Sequence, residues 1–435
     1  MEKRTNVLFV TIDGGGNLPP VLGLAKDMSE SGYRVSVLSE PCLEEVIKEL
    51  GYNFIPFKRY FTRKDRREDI FKDWNASPVK NPVLENIVFG PVKIVTDQTM
   101  EAITLTDAEL LVADCLLPTA LIAADASGIP GVLAFHMPEY LPGANRPPGM
   151  FGLKPGKGAL GRFRDSMLTG LFNMKLNGFL PAINETRTQL NLPTLERTTD
   201  LFHGAKLRLI QTLERFDFPI EPKPVNVRYM GPVLDDPDWT SSWSNPWPEG
   251  DIRPLVVISL SSTFQNQQAT IQSAIDALRN QEIRGLVTLG PALKKSSFTV
   301  PENVLIVESA PHSKVFPEAD LVITHAGHGT IMRALSHGLP LLCLPMGRYQ
   351  NDNDAKLKHH GCGISFGAKA GAGKIRKAVQ HILTEKSFKE VALSFQGMIH
   401  ANENVNLILQ EIEDLVDPNE KKSLSLMPLV CHNLS

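Results

Sequence analysis

The residues best suited to chemistry are concentrated between Leu321 and Leu357, in LVITHAGHGTIMRALSHGLPLLCLPMGRYQNDNDAKL. An apolar run, LVIT, ends at His325. The turn Ala326-Gly327-His328-Gly329 follows, and a helical pattern begins near Thr330. A small-residue turn running into a helix bares backbone N–H groups at the positive end of the helix dipole, which favours an anion. His325 and His328 can add a hydrogen bond or a charge there, so diphosphate suits the turn. A second apolar run, LPLLCLP, delivers the polar loop Arg348-Tyr349-Gln350-Asn351-Asp352 to the same edge. Groups that hold phosphate and groups that bond sugar hydroxyls thus share one crevice, which predicts a nucleotide-sugar ligand.

Other reactive residues sit at comparable places. In open parallel sheets flanked by helices, ligands bind beyond the carboxyl ends of the strands. Ser261, Ser262 and Thr263 follow PLVVISL (254–260), and Pro311 and His312 follow NVLIVES (303–309). Alone, the hydroxyls would make a turn or a helix cap, His312 a surface contact and His325 a structural histidine. Their joint position after three strands carries the weight. In the first half, Asp13 follows NVLFVTI (6–12), Asp114 ends LLVAD (110–114), and His136 ends GVLAFH (131–136). The strand-end rule turns all three towards a cleft, where a carboxylate or an imidazole could take a proton.

The positioning elements read as β-rich runs alternating with helical patterns, hence parallel sheets with helices on both faces. LPPVLGLAKDMSESG (18–32) has prolines at its start and a glycine at its end, as helices do. RVSVLSE (34–40) is a strand, and a helix spans about Thr119–Ser127. Residues 137–169 read as irregular. The following DSMLTGLFNMKLNGFLPAIN reads as a helix facing the core, with a transient membrane contact as the lesser reading, because Lys175 and Pro181 interrupt it.

A chain of 435 residues at 42% hydrophobic and 21% charged residues is long enough for two globular domains. The formal charge of −3 gives no basic excess, which excludes nucleic acid as an expected partner. Five scattered cysteines, Cys42, Cys115, Cys343, Cys362 and Cys431, without CxxC, suit a reducing compartment. The start, MEKRTNVLFVTID, lacks the apolar core of a signal peptide, and no run reaches the ~18 apolar residues of a membrane span. A cytoplasmic location is expected. The divisions read as 1–233, a linker at 234–252, a second unit at 253–401, a terminal helix at 402–418 and a loose tail at 419–435.

The block resembles the donor-binding motif of the family 1, UDP-glucuronosyltransferase-like and macrolide-type glycosyltransferases: His-Gly-Gly-x-Gly-Thr, Gly-x-Pro, then Pro-x-x-x-Asp-Gln. The matching residues are His325 to Thr330, Gly338-Leu339-Pro340 and Pro345 to Gln350, with spacing kept. The resemblance implies the GT-B fold, two Rossmann-like doubly wound α/β domains facing a cleft, with the terminal helix crossing back to the first. It implies no cofactor and no metal, the nucleotide-sugar being a co-substrate. It places phosphate on Ser261, Ser262, Thr263, His325, Gly327, His328, Gly329 and Thr330, the nucleobase near Pro311 and His312, and the sugar on Tyr349 and Gln350. Ala326 replaces a glycine, Tyr349 the sugar-binding aspartate, Ser309 a base-stacking tryptophan, and Arg333 a ribose-binding glutamate of plant members.

The family's base is a histidine in Gly-His-x-x-Pro; here that position is Asn17, an amide with no basic function. Asp13 and Asp114 are the leading substitutes, with Asn17 holding a substrate hydroxyl or a carboxylate and His136 in the acceptor wall as a third candidate. The resemblance implies an inverting transfer of a hexose from a UDP- or dTDP-sugar to a small, partly apolar acceptor of polyketide, flavonoid, terpenoid or sterol type. A hydrolase or epimerase on the same fold, and a non-catalytic helper of another glycosyltransferase, are the alternatives.

Overall fold

A computed structural model describes residues 5–66, 68, 82–143, 146–236, 243–290 and 292–416. A strand covered by helices on both faces has no solvent side, so it forms from a continuous apolar run. β1 (Asn6–Val10), β2 (Arg34–Ser39), β3 (Asn53–Pro56), β4 (Leu110–Asp114), β5 (Gly131–Phe135), β6 (Leu207–Ile210) and β7 (Val227–Tyr229) make one sheet. β8 (Leu255–Ser259), β9 (Arg284–Thr288), β10 (Val304–Val307), β11 (Leu321–Thr324), β12 (Leu341–Cys343) and β13 (Gly363–Ser365) make the other. Their orders are β3-β2-β1-β4-β5-β6-β7 and β10-β9-β8-β11-β12-β13, and every pairing is parallel.

Each sheet starts at its middle, runs to one edge and returns to build the other. The chain direction therefore switches between β1 and β4 and between β8 and β11, and a crevice opens where the flanking helices part. Register brings the ends level: Thr324 pairs with Ser259 and Ser259 with Thr288. The loops after β8, β9 and β11 consequently leave from one line.

Each sheet buries apolar residues on both faces. The helix Asn404–Val416, from the end of the described chain, places Ile408 and Ile412 in the core of the first sheet beside Phe9 and Leu24. Asn402 donates to the Met230 carbonyl and Arg228 pairs with Glu411 at 2.7 Å, so this helix is fixed to the first half. Trp243 and Trp247 pack on the second half, the latter under the Arg284 guanidinium. Trp239, Cys431 and the tail 419–435 lie outside the described residues. No helix among the described residues is long and apolar enough to cross a membrane.

Three local expectations are corrected. The helix after β11 begins at His328, two residues before Thr330. The polar loop is cut short, because Gln350–His360 is helical. The segment expected to be irregular up to residue 169 becomes helical at Gly158, and the helix Gly158–Asn177 is not simply core-facing. It buries Asp165, Phe172 and Leu176 but leaves Leu160, Phe163, Met167, Leu171 and Met174 exposed. The missing information was tertiary: apolar residues lie on two sides of this helix, and the fold covers one.

Candidate active site

The donor cleft, about 960 Å³, opens at the switch point of the second sheet and is closed from above by the turn Gly14–Gly16 after β1. Ser261, Ser262, Thr263, His312 and the whole turn from His325 to Thr330, Ala326 apart, line it with Tyr349 and Gln350. Pro311 does not; it starts the helix His312–Val315. Local chemistry explains the turn. Gly327 precedes the helix His328–Ser336, and a Cβ there would lie 2.6 Å from the His325 ring, so only glycine lets the imidazole fold across the turn. Ala326 holds φ +68, a left-handed conformation that costs a side-chain-bearing residue about 1 kcal/mol.

Burial governs the histidines. Desolvation pushes His325, His328 and His312 each down to about 3, assisted at His325 by Arg348 and at His312 by Arg333. All three are neutral at neutral pH, so the turn offers hydrogen bonds and the helix dipole to an anion but no imidazolium. His328 Nε2 lies 3.2 Å from the Gln211 carbonyl of the first half, to which it donates. His312 rests 3.1 Å from Ser259 Oγ and stacks on Phe316. Gln350 is already engaged: its Oε1 accepts from the Met346 N–H and its Nε2 donates to Gln265, both at 2.8 Å.

On the acceptor side, the expectation that both aspartates face the cleft is not met. Asp13 accepts from the Gly15 N–H and from Arg66 Nε, each at 2.8 Å, with Arg63 at 3.8 Å. Arg63 also holds the buried Glu40 at 2.8 Å. Asp13 therefore belongs to a buried ion network under the turn, and it lines neither cavity. Asp114, fully buried, accepts three hydrogen bonds: from Asn17 Nδ2 at 2.6 Å, Thr11 Oγ1 at 2.8 Å and the Leu116 N–H at 2.9 Å. Asn17 is spent on the protein as well, since its Oδ1 accepts from Gly14 and its Nδ2 also reaches the Ile12 carbonyl. It welds the turn to β4 and also lines the acceptor cavity beside His136.

His136 occupies the place the aspartates do not. It lines an apolar cavity of about 760 Å³ with Leu84, Val88, Leu116, Met137 and Met150. Behind it, Nδ1 lies 3.5 Å from Cys115 Sγ and 3.8 Å from Asp114 Oδ1. With Nδ1 turned to that pair, Nε2 is left for the cavity. Burial lowers its pKa, while Asp114 pulls the other way. An imidazole with its pKa lowered by burial, contacted by a thiol and with a carboxylate 3.8 Å behind it, can serve as a general base.

Tyr349 and Arg348 line both cavities, so the loop after β12 forms the shared wall. A Cβ on Gly16 would sit 3.4 Å from the Tyr349 hydroxyl, which puts that ring against the turn of the first half. Asp352 accepts from the Met150 and Gly152 N–H groups and ties the acceptor wall to the second half. Gln265, Leu84 and Val88 carry no motif in the sequence, whereas Arg348 belongs to the polar loop expected at this edge. Leu84 and Val88 had a faint signal, apolar residues four apart in LENIV, in the stretch least like any motif.

The chain resembles known proteins along the same lines. Residues 274–415 match the family described as "Erythromycin biosynthesis protein CIII-like, C-terminal domain". The chain is 24% identical to the 4'-demethylrebeccamycin synthase of Lentzea aerocolonigenes, over 94% of this chain and 99% of that one. It is 23% identical to UDP-glycosyltransferase 2 of Phaeomoniella chlamydospora, covering 95% and 96%. The crystal structure of CalG4, the calicheamicin glycosyltransferase, superposes with a TM-score of 0.72 at 15% identity, over 95% of this chain and 98% of that one. Two parallel sheets facing a cleft in this way are the GT-B fold. The chain is a glycosyltransferase, and it is similar to the family 1 glycosyltransferases.

Proposed function

We propose that this enzyme transfers a hexose, with inversion, from a UDP- or dTDP-linked donor to a hydroxyl of a small apolar acceptor, and that His136 is the base. The observation that carries the reading is the imidazole lining an apolar cavity, with Asp114 3.8 Å behind it and the Tyr349 ring edge-on beside it. His136 Nε2 takes the hydroxyl proton as the acceptor oxygen attacks the anomeric carbon. The bond from that carbon to the diphosphate breaks on the opposite face. The departing charge is met by the N–H groups of the turn before the helix His328–Ser336. Asp114 and Asn17 act through others, as positioning residues. No metal or other cofactor is required in this scheme.

The lining of the acceptor cavity, with Leu84, Val88, Leu116, Met137 and Met150, favours a fused-ring or terpenoid skeleton over a polar one. Tyr349 offers one hydroxyl where an aspartate would offer two acceptor oxygens, which favours a donor sugar with fewer hydroxyls; a gain of glucose transfer in Tyr349→Asp would bear this out.

The test is to supply UDP-glucose and dTDP-glucose with and without a panel of phenols and terpenoids, following nucleoside diphosphate release and product mass. Acceptor-dependent release with a sugar-sized mass gain supports transfer, and release without acceptor makes the protein a hydrolase. Binding with no release from either donor favours the helper reading. A chelator should leave the rate unchanged. Because Asp114, Cys115 and His136 bring ligand atoms within 4.8 Å of one another, a rate lost to chelator and restored by a divalent ion would reassign them to a metal.

A further inference from the structure

The helix Gly158–Asn177 carries a feature that sugar transfer does not use. At 100° per residue, Leu160, Phe163, Met167, Leu171 and Met174 fall in a strip roughly 80° wide. All five are exposed, Leu160 at 87% and Phe163 at 69%. The buried residues Asp165, Phe172 and Leu176 lie on the far side, so burying the helix in its own fold does not account for the strip. Charge follows it. Between Met150 and Gly178 there are five basic residues and one acidic, in a chain whose total is −3. Lys154 and Lys157 stand exposed before the first turn and Arg162 is exposed within it. Arg164, paired with Asp165, and Lys175 project at one edge of the strip.

We infer that this helix docks on an anionic lipid surface, with the five apolar side chains entering the acyl boundary and the lysines and arginines at the headgroups. Apolar strips bordered by basic residues bind this way, through buried area plus attraction to anionic lipid. A second copy of the chain would fit the apolar strip but not the local positive charge, because identical surfaces repel across a two-fold axis. The segment that precedes the helix supplies Met150 to the acceptor cavity, so docking sets that cavity beside the membrane. Resting on the proposed acceptor class, an acceptor that partitions into lipid would be met there; the docking itself does not depend on transfer.

The experiment is co-sedimentation of the full chain with vesicles of phosphatidylcholine alone and of equal parts phosphatidylcholine and phosphatidylglycerol. The intact protein should sediment with the anionic vesicles and release on raising salt. Phe163→Glu with Met167→Glu should lower the vesicle affinity about tenfold or more, with an unchanged melting temperature and unchanged UDP binding. Lys154→Glu with Lys157→Glu should weaken anionic-vesicle binding and leave the melting temperature alone. Failure of the intact protein to sediment, or equal sedimentation of the apolar-strip variant, overturns the inference. So does a dimer in sedimentation velocity without lipid that Phe163→Glu with Met167→Glu abolishes, since the strip would then be a self-association face.

Discussion

The two halves share one strand plan, yet they build their parts of the site differently. In the second half, one stretch of 26 residues from His325 to Gln350 supplies most of the phosphate and sugar wall, because a strand, a tight turn and a helix N-terminus make an anion site from their own backbone. In the first half, the acceptor cavity gathers Leu84, Leu116, His136 and Met150 from separate segments. A backbone-built site is local and tolerates few changes of conformation. A side-chain-built site is dispersed, so its reactive group can move from one strand end to another while the fold stays fixed. The imidazole here stands after β5, with an amide in the turn after β1.

The sharpest way to break this comparison is His136→Ala. If the base belongs to the dispersed half alone, kcat should fall ~10²–10⁴-fold while UDP affinity by calorimetry is unchanged. Retained turnover would return the base to an aspartate. Asp13→Asn, by contrast, should act on stability. Removing one partner of the buried Arg63, Arg66 and Glu40 network should cost about 3 kcal/mol in denaturant unfolding and leave kcat within a few-fold.

Gly327→Ala probes the local half. A methyl 2.6 Å from the His325 ring must displace it, and overpacking of ~1–3 kcal/mol, if felt wholly in the bound state, corresponds to roughly a 5- to 150-fold loss of nucleotide affinity; acceptor binding should not change. Asn17→His in the His136→Ala background asks whether the reactive group is portable, since a histidine there would lie beside Asp114. A partial return of turnover, about tenfold above the single variant, is expected, and no return would show that the cavity is shaped for Nε2 of His136.

The smallest effects concern pH. A base acts when unprotonated, and burial lowers His136, so the acid limb of kcat/KM should fall below the ordinary histidine value of 6.5 and vanish in His136→Ala. For stability, the unfolded chain protonates His312, His325 and His328 near 6.5, while the folded chain does so only near 3. Their contribution is complete above about 6.5 and declines as pH falls from there towards 3. Melting temperatures at pH 7 and pH 5 should show the decline, and His328→Gln should lessen it.

Much of this architecture is legible in the sequence. β1, β4, β5, β8 and β11 are continuous apolar runs that only a covered parallel strand uses, and their following residues mark the cleft edge. The donor turn was legible because backbone, spacing and residue type act within one segment. The strand-end rule selected Asp13, Asp114 and His136 alike, because it fixes where a residue leaves a sheet and says nothing of which way its side chain turns. Arg63 and Arg66, about 50 residues from Asp13, turn that carboxylate inward, and Thr11, Asn17 and the Leu116 N–H do the same to Asp114.

By itself, then, the sequence determined two parallel sheets, the switch-point crevice and the anion-binding turn, all consequences of local periodicity and backbone geometry. Only the tertiary structure decided which of three titratable groups looks into the acceptor cavity, and which side of the helix Gly158–Asn177 is left uncovered. Both depend on side-chain contacts between segments far apart in the chain, where the pairing of charges and the supply of covering surface are set by the packing of the whole.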